Sequence, residues 1–427
     1  MGVSQIEATV GAHADALTRF ANNAIHQNVA GRTSYLSVRA VLDGRTARAT
    51  TNRLDEASVR SVVEQAVAIT RAQAPDPGLL PLDAKRAVPE VDRYFDSTAR
   101  AEPSDRARAV AEVIGGVEAG GFNSAGIFAT NRSVVALLNT RGALAYHAET
   151  MAQFAITVMG EDSSGWAKAS SCCLLDLDHR RLAARAAEKA RASCRPRELP
   201  PGRYTVILEP AAVLDLVGQM FGDFSATALR EGRSFLAGRI GKKIFGDNVT
   251  IYDDVFHPMQ AGAPFDGEGV PRKRLTLVDK GYVREIPYCR QAAHEAGAEP
   301  TGHGFPLPNE IGEAPVNIVV AGGDTSLEQM IASTGRGILV TRLWYIREVD
   351  PYEKIMTGMT RDGTFLIEDG EVACGLRNFR FNQSLIEMLQ NVELLSPAAR
   401  TSGEEAMDMV VPAMKVRDFH FTEVTRF

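Results

Sequence analysis

The chain has 427 residues, of which 45% are hydrophobic and 23% are charged, a composition typical of a globular protein with two or more domains. Its net charge of −6 argues against binding to nucleic acid or to an anionic membrane, and no apolar run is long enough to cross a bilayer. The five cysteines are sparse and odd in number, and the N-terminus lacks the features of a signal peptide. We therefore expect a reducing, cytoplasmic location.

The first part of the chain predicts a helix, a hairpin and a second helix. Residues 3–25 are predicted to be helical because hydrophobic side chains recur there at roughly helical spacing: Ile6, Val10, Leu17 and Phe20. Alternation over residues 36–40, followed by Asp43-Gly44, predicts a tight β-hairpin. The segment LDEASVRSVVEQAVAITRAQA has acidic residues in its first turn and one apolar face, which predicts an amphipathic helix.

The next part predicts a connector, two helices and several strands. Residues 75–103 are proline-rich and are predicted to cross the surface, after which Ser104 is predicted to cap a helix that ends at Gly120-Gly121. Extended segments are then predicted near residues 124–129, 133–138, 143–158 and 165–171, with a turn at 139–142. A helix over 178–193 completes an N-terminal α+β domain of layered helices and antiparallel strands.

The run CRPRELPPGR, residues 194–203, predicts a domain boundary that divides the chain into domains 1–196 and 201–427. The second domain is predicted to be β-rich, with hairpin turns at 279–281 and at Asp369-Gly370 and an alternating strand at its end. Helices are predicted within the stretch 209–244, after Asp324 and from Ser384. The fold class is therefore α+β.

Metal-dependent hydrolysis would need a suitable set of ligands, and a zinc-peptidase helix carries two histidines on one face, as in HExxH. No two of the eight histidines are three to five residues apart. The nearest pair, His294 and His303, is separated by Gly297 and Pro300, so one helix cannot align them. A loop-borne metal site formed by His294, Glu295 and His303 stays open, beside the simpler interpretation that these are polar loop residues.

Other catalytic patterns are also missing from the sequence. There is no GxSxG, GxxxxGK[ST] or GxGxxG motif. Cys172-Cys173 would face opposite sides of a strand, and Cys289 and Cys374 are predicted in hairpin strands without a nearby histidine in sequence. Acidic pairs such as Asp253-Asp254 and Asp266/Glu268 could serve acid–base chemistry, although FDGEGVP is first of all typical of a loop.

An ordered set of segments over nearly the whole chain resembles the TldD/TldE (PmbA) family. These segments are VRAVLDGRTARATT, NTRG, EGRSFLAGRIGKKI, FDGEGVPRKRLTLVDKGYV, TGHGFP and GTFLIEDGEV. TldD-type chains of this family carry HExxxH on the helix before the small-residue run, and a later cysteine completes their zinc site. They act as metallopeptidases, typically as heterodimers with TldE-type chains that lack these ligands.

In this sequence the corresponding helix, residues 213–226, has no histidine, no cysteine and no suitably placed glutamate, and no cysteine follows Cys374. The resemblance is therefore to the TldE/PmbA side of the family. It implies no metal in this chain, zinc in a TldD-type partner, and a β-rich C-terminal domain that forms a partly closed barrel or sandwich. The implied reaction of the complex is hydrolysis of peptide or amide bonds in unfolded or modified peptides or natural-product precursors.

Three hypotheses follow for this chain. It is a non-zinc subunit of a TldD/TldE-type heterodimer, a self-sufficient hydrolase with a relocated site that uses His294, Glu295, His303 or Cys374, or a regulatory protein, for example a homodimer. Polar residues in glycine-bounded turns or beside a tryptophan are candidates for contact with a peptide substrate: His303, Arg342 and Arg141. For each of them, ordinary structural polarity is the alternative.

Overall fold

Three β-sheets form the framework of the part of the chain that the computed structural model describes, residue 3 and residues 5–425. One sheet belongs to the N-terminal half and two belong to the C-terminal half. Helices pack on the first sheet, between the other two sheets and on an outer face of one of them, so the predicted α+β class is confirmed. No helix among the described residues is long and apolar enough to cross a membrane.

The N-terminal sheet is entirely antiparallel, with the order β3-β2-β1-β4-β5-β6. Its strands are β1 (Gln5–Ala21), β2 (Ala24–Leu42), β3 (Arg45–Thr51), β4 (Asn123–Asn139), β5 (Leu144–Met159) and β6 (Ser164–Ser171). The helices of this half are α1 (Glu56–Ala72), the single turn α2 (Asp96–Ala99), α3 (Pro103–Ala119) and α4 (His179–Ala192), with a 3-10 turn at Leu174–Asp176. All of them except α2 lie within a residue or two of predicted positions.

The predicted helix over residues 3–25 is wrong, because Gln5–Ala21 forms a strand paired along its length with β2 and β4. Ile6, Val10 and Phe20 are separated by even numbers of residues, so they share one face of a strand as well as they share a helical face. Pairing with β2 on one side and β4 on the other makes this segment a strand rather than a helix. The segments predicted at 124–129 and 133–138 are likewise one continuous strand, β4.

The cap of α3 also differs from its prediction. Glu102 is the N-cap residue, Pro103 occupies the first turn, and Asp105 completes a reciprocal capping box with Glu102. Ser104 lies inside the helix. The predicted stop at Gly120-Gly121 is confirmed, with Gly121 at a φ of 76°.

The helices cover the sheet in two groups. α1 packs on Leu36, Val38 and the neighbouring face of β1, which includes Val10. α3 and α4 pack on the distant part of the same face, around Phe20 and Phe128. Both groups lie on the face that presents the even-numbered residues of β1, because alternate residues of a strand point to the same side.

The C-terminal half contains thirteen further strands among the described residues. They are β7 (Gly202–Leu208), β8 (Ile251–Asp253), β9 (Leu275–Asp279), β10 (Tyr282–Val283), β11 (Ile318–Val320), β12 (Arg336–Asp350), β13 (Ile355–Glu368), β14 (Glu371–Gly375), β15 (Phe379–Ser384), β16 (Val392–Leu395), β17 (Ala399–Thr401), β18 (Met409–Val411) and β19 (Met414–Val424). The helices are α5 (Pro210–Val217), α6 (Ala226–Arg230), α7 (Arg290–Ala296), α8 (Leu327–Ala332) and α9 (Leu385–Gln390), with a 3-10 segment at Gly218–Asp223.

These strands form two sheets that share a large hydrophobic core, and a smaller cluster lies under α8. One sheet has the order β10-β9-β8-β11-β18-β17, and the other has the order β12-β7-β19-β15-β13-β14, with β16 beside β19. β12 also pairs with β13, so the second sheet returns to its own first strand. α5 contributes to the shared core, and its residues from Ala211 to Val217 are all buried. The predicted hairpin turns at 279–281 and 369–370 are confirmed, as are the helices predicted after Asp324 and from Ser384, which begin after the N-cap residues Ser326 and Ser384.

Candidate functional site

The stretch from α5 to α6 is where the sequence resemblance places the zinc-binding helix of TldD-type chains. It is shorter and less regular than the predicted helix, because α5 ends at Val217 and a 3-10 segment follows. The carboxylate of Asp215 accepts hydrogen bonds from the backbone N–H groups of Glu404 and Glu405, at 3.1 and 2.9 Å. The other buried acid, Asp223, forms an ion pair with Lys354. Both carboxylates are therefore already bound by donors of the protein itself.

These residues do not fit a zinc ion. Zinc sites use histidine nitrogen, cysteine sulfur and carboxylate oxygen in sets of three or four. The stretch has no histidine or cysteine, and its two buried acids serve different partners, the loop at 404–405 and Lys354. Across residue 3 and residues 5–425, no group of three or more histidine, cysteine, aspartate and glutamate side chains is arranged to hold a metal ion.

His303 is buried, and both of its ring nitrogens face a partner. Its Nε2 lies 3.1 Å from Oδ1 of Asp253, and its Nδ1 lies 3.0 Å from Oγ1 of Thr301. The other oxygen of Asp253 accepts the backbone N–H groups of Val316 and Asn317, each at 2.7 Å. Burial alone would raise the pKa of Asp253, but the His303 contact and these hydrogen bonds bring it below its usual value. His303 thus joins the loop at 301–304 to β8.

Arg342 is also buried, in an ion pair with Asp362 that contacts β6 of the N-terminal half. Its Nε donates to Oδ2 of Asp362 at 2.9 Å, and Ser164 Oγ of β6 donates to the other oxygen at 2.7 Å. The guanidinium carbon lies 5.0 and 5.7 Å from the ring centres of Trp166 and Trp344. The predicted proximity to a tryptophan is therefore present, but the side chain is enclosed.

Arg141 lies in the turn between β4 and β5, as the sequence indicates. Its guanidinium donates to the carbonyl oxygen of Leu82 at 2.8 Å, and its backbone N–H donates to Asn139 Oδ1 at 2.8 Å. It therefore fixes the connector after α1 against the sheet. The adjacent carbonyl, that of Pro81, accepts a hydrogen bond from Arg290, the first residue of α7.

A groove lies beside α7, and none of His303, Arg141 and Arg342 lines it or the groove next to it. The groove has a volume of about 680 Å³. It is lined by Thr227, Arg230, Glu231, Arg233, Glu268, Cys289, Gln291, Ala292, Leu307 and 309–312. A second groove of about 650 Å³ lies on the other side of Arg230 and Ala292.

Glu268 lines this groove and has a strongly raised pKa. The FDGEGVP segment is a loop, as predicted, in which Asp266 accepts the backbone N–H groups of Glu268 and Val270, each at 2.9 Å. Burial, and then the neighbouring Asp266, raise the pKa of Glu268 to about 7. Oε2 of Glu268 accepts the N–H of Arg290 at 2.9 Å. A carboxyl group with such a pKa can donate or accept a proton at neutral pH.

The glycine after His303 is explained by the same loop. A side chain at Gly304 would collide with the carboxyl groups of Glu268 and Asp266. The backbone N–H of Gly304 donates to Asp266 Oδ2 at 2.8 Å. The TGHG segment therefore supports the groove wall through its backbone.

Glu313, which the sequence did not single out, organises the helices at the groove. Its Oε1 accepts Ser225 Oγ and the N–H of Thr227 at 2.7 and 2.8 Å, so it binds the start of α6. Its Oε2 accepts the N–H of Cys289, the N-cap residue of α7, at 3.2 Å. Burial and Glu313 raise the pKa of the Cys289 thiol to about 12, which makes it a poor nucleophile at neutral pH. No local pattern in the sequence points to this glutamate.

The N-terminal sheet also supports the groove. Arg48 of β3 donates from Nε to the carbonyl oxygen of Leu307 at 2.8 Å and pairs with Glu7 of β1 at 2.6 Å. Arg39 of β2 is buried near the same glutamate. Basic groups from β2 and β3 thus face the acidic C-terminal loops.

Family models for the PmbA/TldA metallopeptidase match three successive segments of the chain. The model of domain 1 matches residues 13–70, that of the central domain residues 76–193, and that of the C-terminal domain residues 201–423. The chain is 24% identical to the metalloprotease PmbA of Escherichia coli O157:H7 over 89% of its own length and 85% of that protein. It is 27% identical to a metalloprotease of Methanothermobacter thermautotrophicus, over 60% of its own length and 59% of that relative.

The fold is that of a solved relative of the same class. The crystal structure of TldE from Thermococcus kodakarensis superposes with a TM-score of 0.91 at 22% identity and covers 98% of this chain and 97% of that one. A three-part sequence match and this shared architecture define the class. The chain belongs to the PmbA/TldD metalloprotease family.

Proposed function

We propose that this chain is the metal-free, TldE/PmbA-type subunit of a cytoplasmic metallopeptidase complex whose zinc is held by a partner with an HExxxH helix. The observation that carries the proposal is the α5 to α6 stretch. It lacks histidine and cysteine, and its buried acids bind the loop at 404–405 and Lys354. The five cysteines, all free, agree with a reducing compartment.

Within such a complex this chain contributes surface for peptide substrates. The groove beside α7 combines an apolar wall with Arg230, Arg233 and Glu268, a mixture suited to extended peptides that carry charged side chains. The substrates of this proposal are unfolded or modified peptides, including natural-product precursors. Hydrolysis itself takes place at the zinc of the partner.

The test uses this chain and an HExxxH-bearing family member from the same organism, purified separately and after co-expression. Light scattering after gel filtration measures the mass of the complex, and elemental analysis measures zinc in each chain. A quenched-fluorescent unstructured peptide reports hydrolysis. We expect a mixed complex, about one zinc per partner chain and almost none in this chain, and hydrolysis by the mixture that greatly exceeds that of this chain alone.

Two results would reject the proposal in favour of its alternatives. Zinc and hydrolysis in the isolated chain, both lost in His294→Ala and His303→Ala, would establish a self-sufficient hydrolase. A stable homodimer that forms no complex with the HExxxH chain would establish a regulatory or binding protein. Because His303 is buried, a thermal melt of each variant must accompany its activity measurement.

A further inference from the structure

A stretch of the N-terminal sheet lies uncovered between its two groups of helices. α1 covers Val10 on the helix side of β1, and α3 covers Phe20. Between these positions the same face of β1 presents Ala12, Ala14 and Ala16, because alternate strand residues share a face. Here the sheet has a floor of small side chains, bordered by α2 and the start of α3.

Two arginines flank this alanine floor in register. Ala14 pairs with Arg32 of β2 on one side and with Arg132 of β4 on the other. Residues paired across strands share a face, and two strand spacings separate the two arginine backbones by about 10 Å. Their long side chains can therefore converge on one ligand above Ala14. Within the described residues, neither guanidinium has an ion pair or a side-chain hydrogen bond.

A third arginine enters the same space from α3. Arg106 is only 1% exposed, and its Nη1 donates to Thr130 Oγ1 at 3.1 Å and to the carbonyl oxygen of Ala101 at 3.3 Å. Its Nε and Nη2 have no hydrogen-bond partner among the described residues. Thr130 is two residues from Arg132 on β4, so Arg106 and Arg132 lie on the same face of the sheet.

The acidic residues beside this space, Asp15 and Asp105, have hydrogen-bond partners of their own. Asp15 lies between Ala14 and Ala16, so its side chain points to the opposite face, where it accepts a hydrogen bond from Asn131. Asp105 is engaged in the capping box of α3. Buried donors without partners are costly, so Nε and Nη2 of Arg106, which have no hydrogen-bond partner among the described residues, favour a ligand that accepts hydrogen bonds.

The three arginines line one cavity of about 400 Å³, together with Ala14, Asp15, Ala16, Ala30, Gly31, Thr98, Ala99, Ala101, Pro103, Thr130 and Asn131. An adjoining cavity of about 400 Å³ shares Arg32 and Arg132 and extends over Ala12 to Tyr94. Guanidinium groups match oxyanions with paired N–H donors. We propose that this arginine pocket binds a carboxylate carried by a peptide, either an acidic side chain or a C-terminal carboxylate.

This inference rests on the proposed function only in one respect, namely that the carboxylate belongs to a peptide. Peptides are what the complex would receive, and a continuous space beside the carboxylate position suits a chain longer than a free ion. A free phosphate uses the same arginine chemistry and is distinguished by experiment. Binding requires no zinc, so it is measured on this chain alone and also in the mixed complex.

The test is fluorescence anisotropy with a labelled unstructured peptide that contains two glutamates, its glutamine counterpart, and both peptides with free or amidated C-termini. The protein variants are Arg32→Gln, Arg132→Gln and the double variant, each checked for folding by thermal melting. Arg19→Gln is the matched control, since it removes one positive charge from an exposed position on the other face of β1. Inorganic phosphate is the competitor.

We expect the double variant to bind the acidic peptide at least about tenfold more weakly, while Arg19→Gln stays within about twofold of the wild type. The wild type should bind the amidated glutamine peptide as weakly as the double variant binds the acidic peptide. Equal loss in Arg19→Gln would reject the pocket. So would binding that depends neither on the glutamates of the amidated peptides nor on a free C-terminus of the glutamine peptide. Arginine-dependent binding of phosphate without binding of any peptide would also overturn the proposal.

The outcomes for the two proposals are separable. Peptide binding through Arg32 and Arg132 by a chain that forms no complex with an HExxxH partner would retain the pocket and reject the metal-free subunit. A zinc-containing complex whose peptide affinity and hydrolysis are unchanged in the double variant would retain the metal-free subunit and reject the pocket.

Discussion

Buried carboxyl groups in the C-terminal half differ according to what surrounds them. Glu313 has donors on both oxygens and fixes two helices. Asp253 has His303 and two backbone N–H groups, and its pKa is held below the usual range. Glu268 and Asp215 are buried with fewer compensating contacts, and burial raises their pKa values to about 7 and about 6. Burial is the largest cause acting on the pKa values of Asp253, Glu268 and Asp215, and the neighbouring charges and hydrogen-bond donors decide how far it is offset.

Asp215→Asn tests this interpretation by its pH dependence. Oδ2 of Asp215 is buried without a partner, so ionisation is unfavourable in the folded state. A folded-state pKa of about 6, above the ordinary 3.8, means that the free energy of unfolding of the wild type falls as pH rises through this interval. Asparagine has no such charge. We therefore expect the variant to gain about 1–3 kcal/mol relative to the wild type between pH 4 and pH 7.

The measurement is urea unfolding of both proteins at several pH values between 4 and 8. Asp369→Asn, at an exposed turn position with a φ of 50°, is the matched control because asparagine tolerates that backbone conformation. A difference between Asp215→Asn and wild type that stays constant from pH 4 to pH 7 would contradict the raised pKa.

At the scale of elements, the two halves of the chain are joined by side chains of β6, α4 and the C-terminal sheets. Ser164 of β6 bonds Asp362, which pairs with Arg342. Lys189 of α4 pairs at 2.6 Å with Glu209, the N-cap residue of α5. Burial lowers the pKa of Lys189 to about 8 despite this partner. The position of the α5 stretch is thus coupled to the N-terminal half.

Arg342→Ala should be strongly destabilising if the ion pair is part of this junction. Arg342 and Asp362 are 7% and 9% exposed, so the substitution leaves a buried carboxylate without its main partner. Such losses cost about 3–5 kcal/mol. Arg336→Ala, at the exposed start of the same strand, is the control and should cost less than about 0.5 kcal/mol. Thermal and urea unfolding measure both; a near-neutral Arg342→Ala would show that the pair is not structural.

At the scale of the whole molecule, the β1–β2 hairpin extends beyond the strand that covers its edge. β3 pairs with β2 only from Leu36 to Leu42, whereas β1 pairs with β2 as far as Ala24, the first residue of β2. Residues 24–33 of β2 are all exposed. Among the described residues no strand pairs with this edge, so every second backbone N–H along it points outward.

Hydrogen exchange followed by mass spectrometry should record this difference along one strand. In the isolated chain, about half of the amides in peptides from 24–34 should exchange within seconds, because only the inward N–H groups are bonded. Peptides from 36–42, paired on both sides, should exchange far more slowly. The two parts of β2 serve as each other's control. Uniform protection of 24–34 would mean that another chain or segment covers this edge.

Local patterns in the sequence predicted the elements whose stability arises within a few residues. α1, α4 and the hairpin turns at 279–281 and 369–370 all follow from amphipathic spacing, caps and positive-φ residues. The absence of histidine and cysteine from 213–226, and with it the resemblance to TldE-type chains, is likewise a property of the sequence itself. The family models confirm the family.

Only the tertiary structure decided the rest, because the deciding contacts join residues far apart in the chain. β1 is a strand owing to its ladders with β2 and β4, although its spacing also suits a helix. His303 and Arg342 have their polar groups occupied by Asp253 and Asp362, which no local motif indicates. The arginine pocket requires three strands and a helix to bring Arg32, Arg106 and Arg132 together, and sequence spacing does not encode that register.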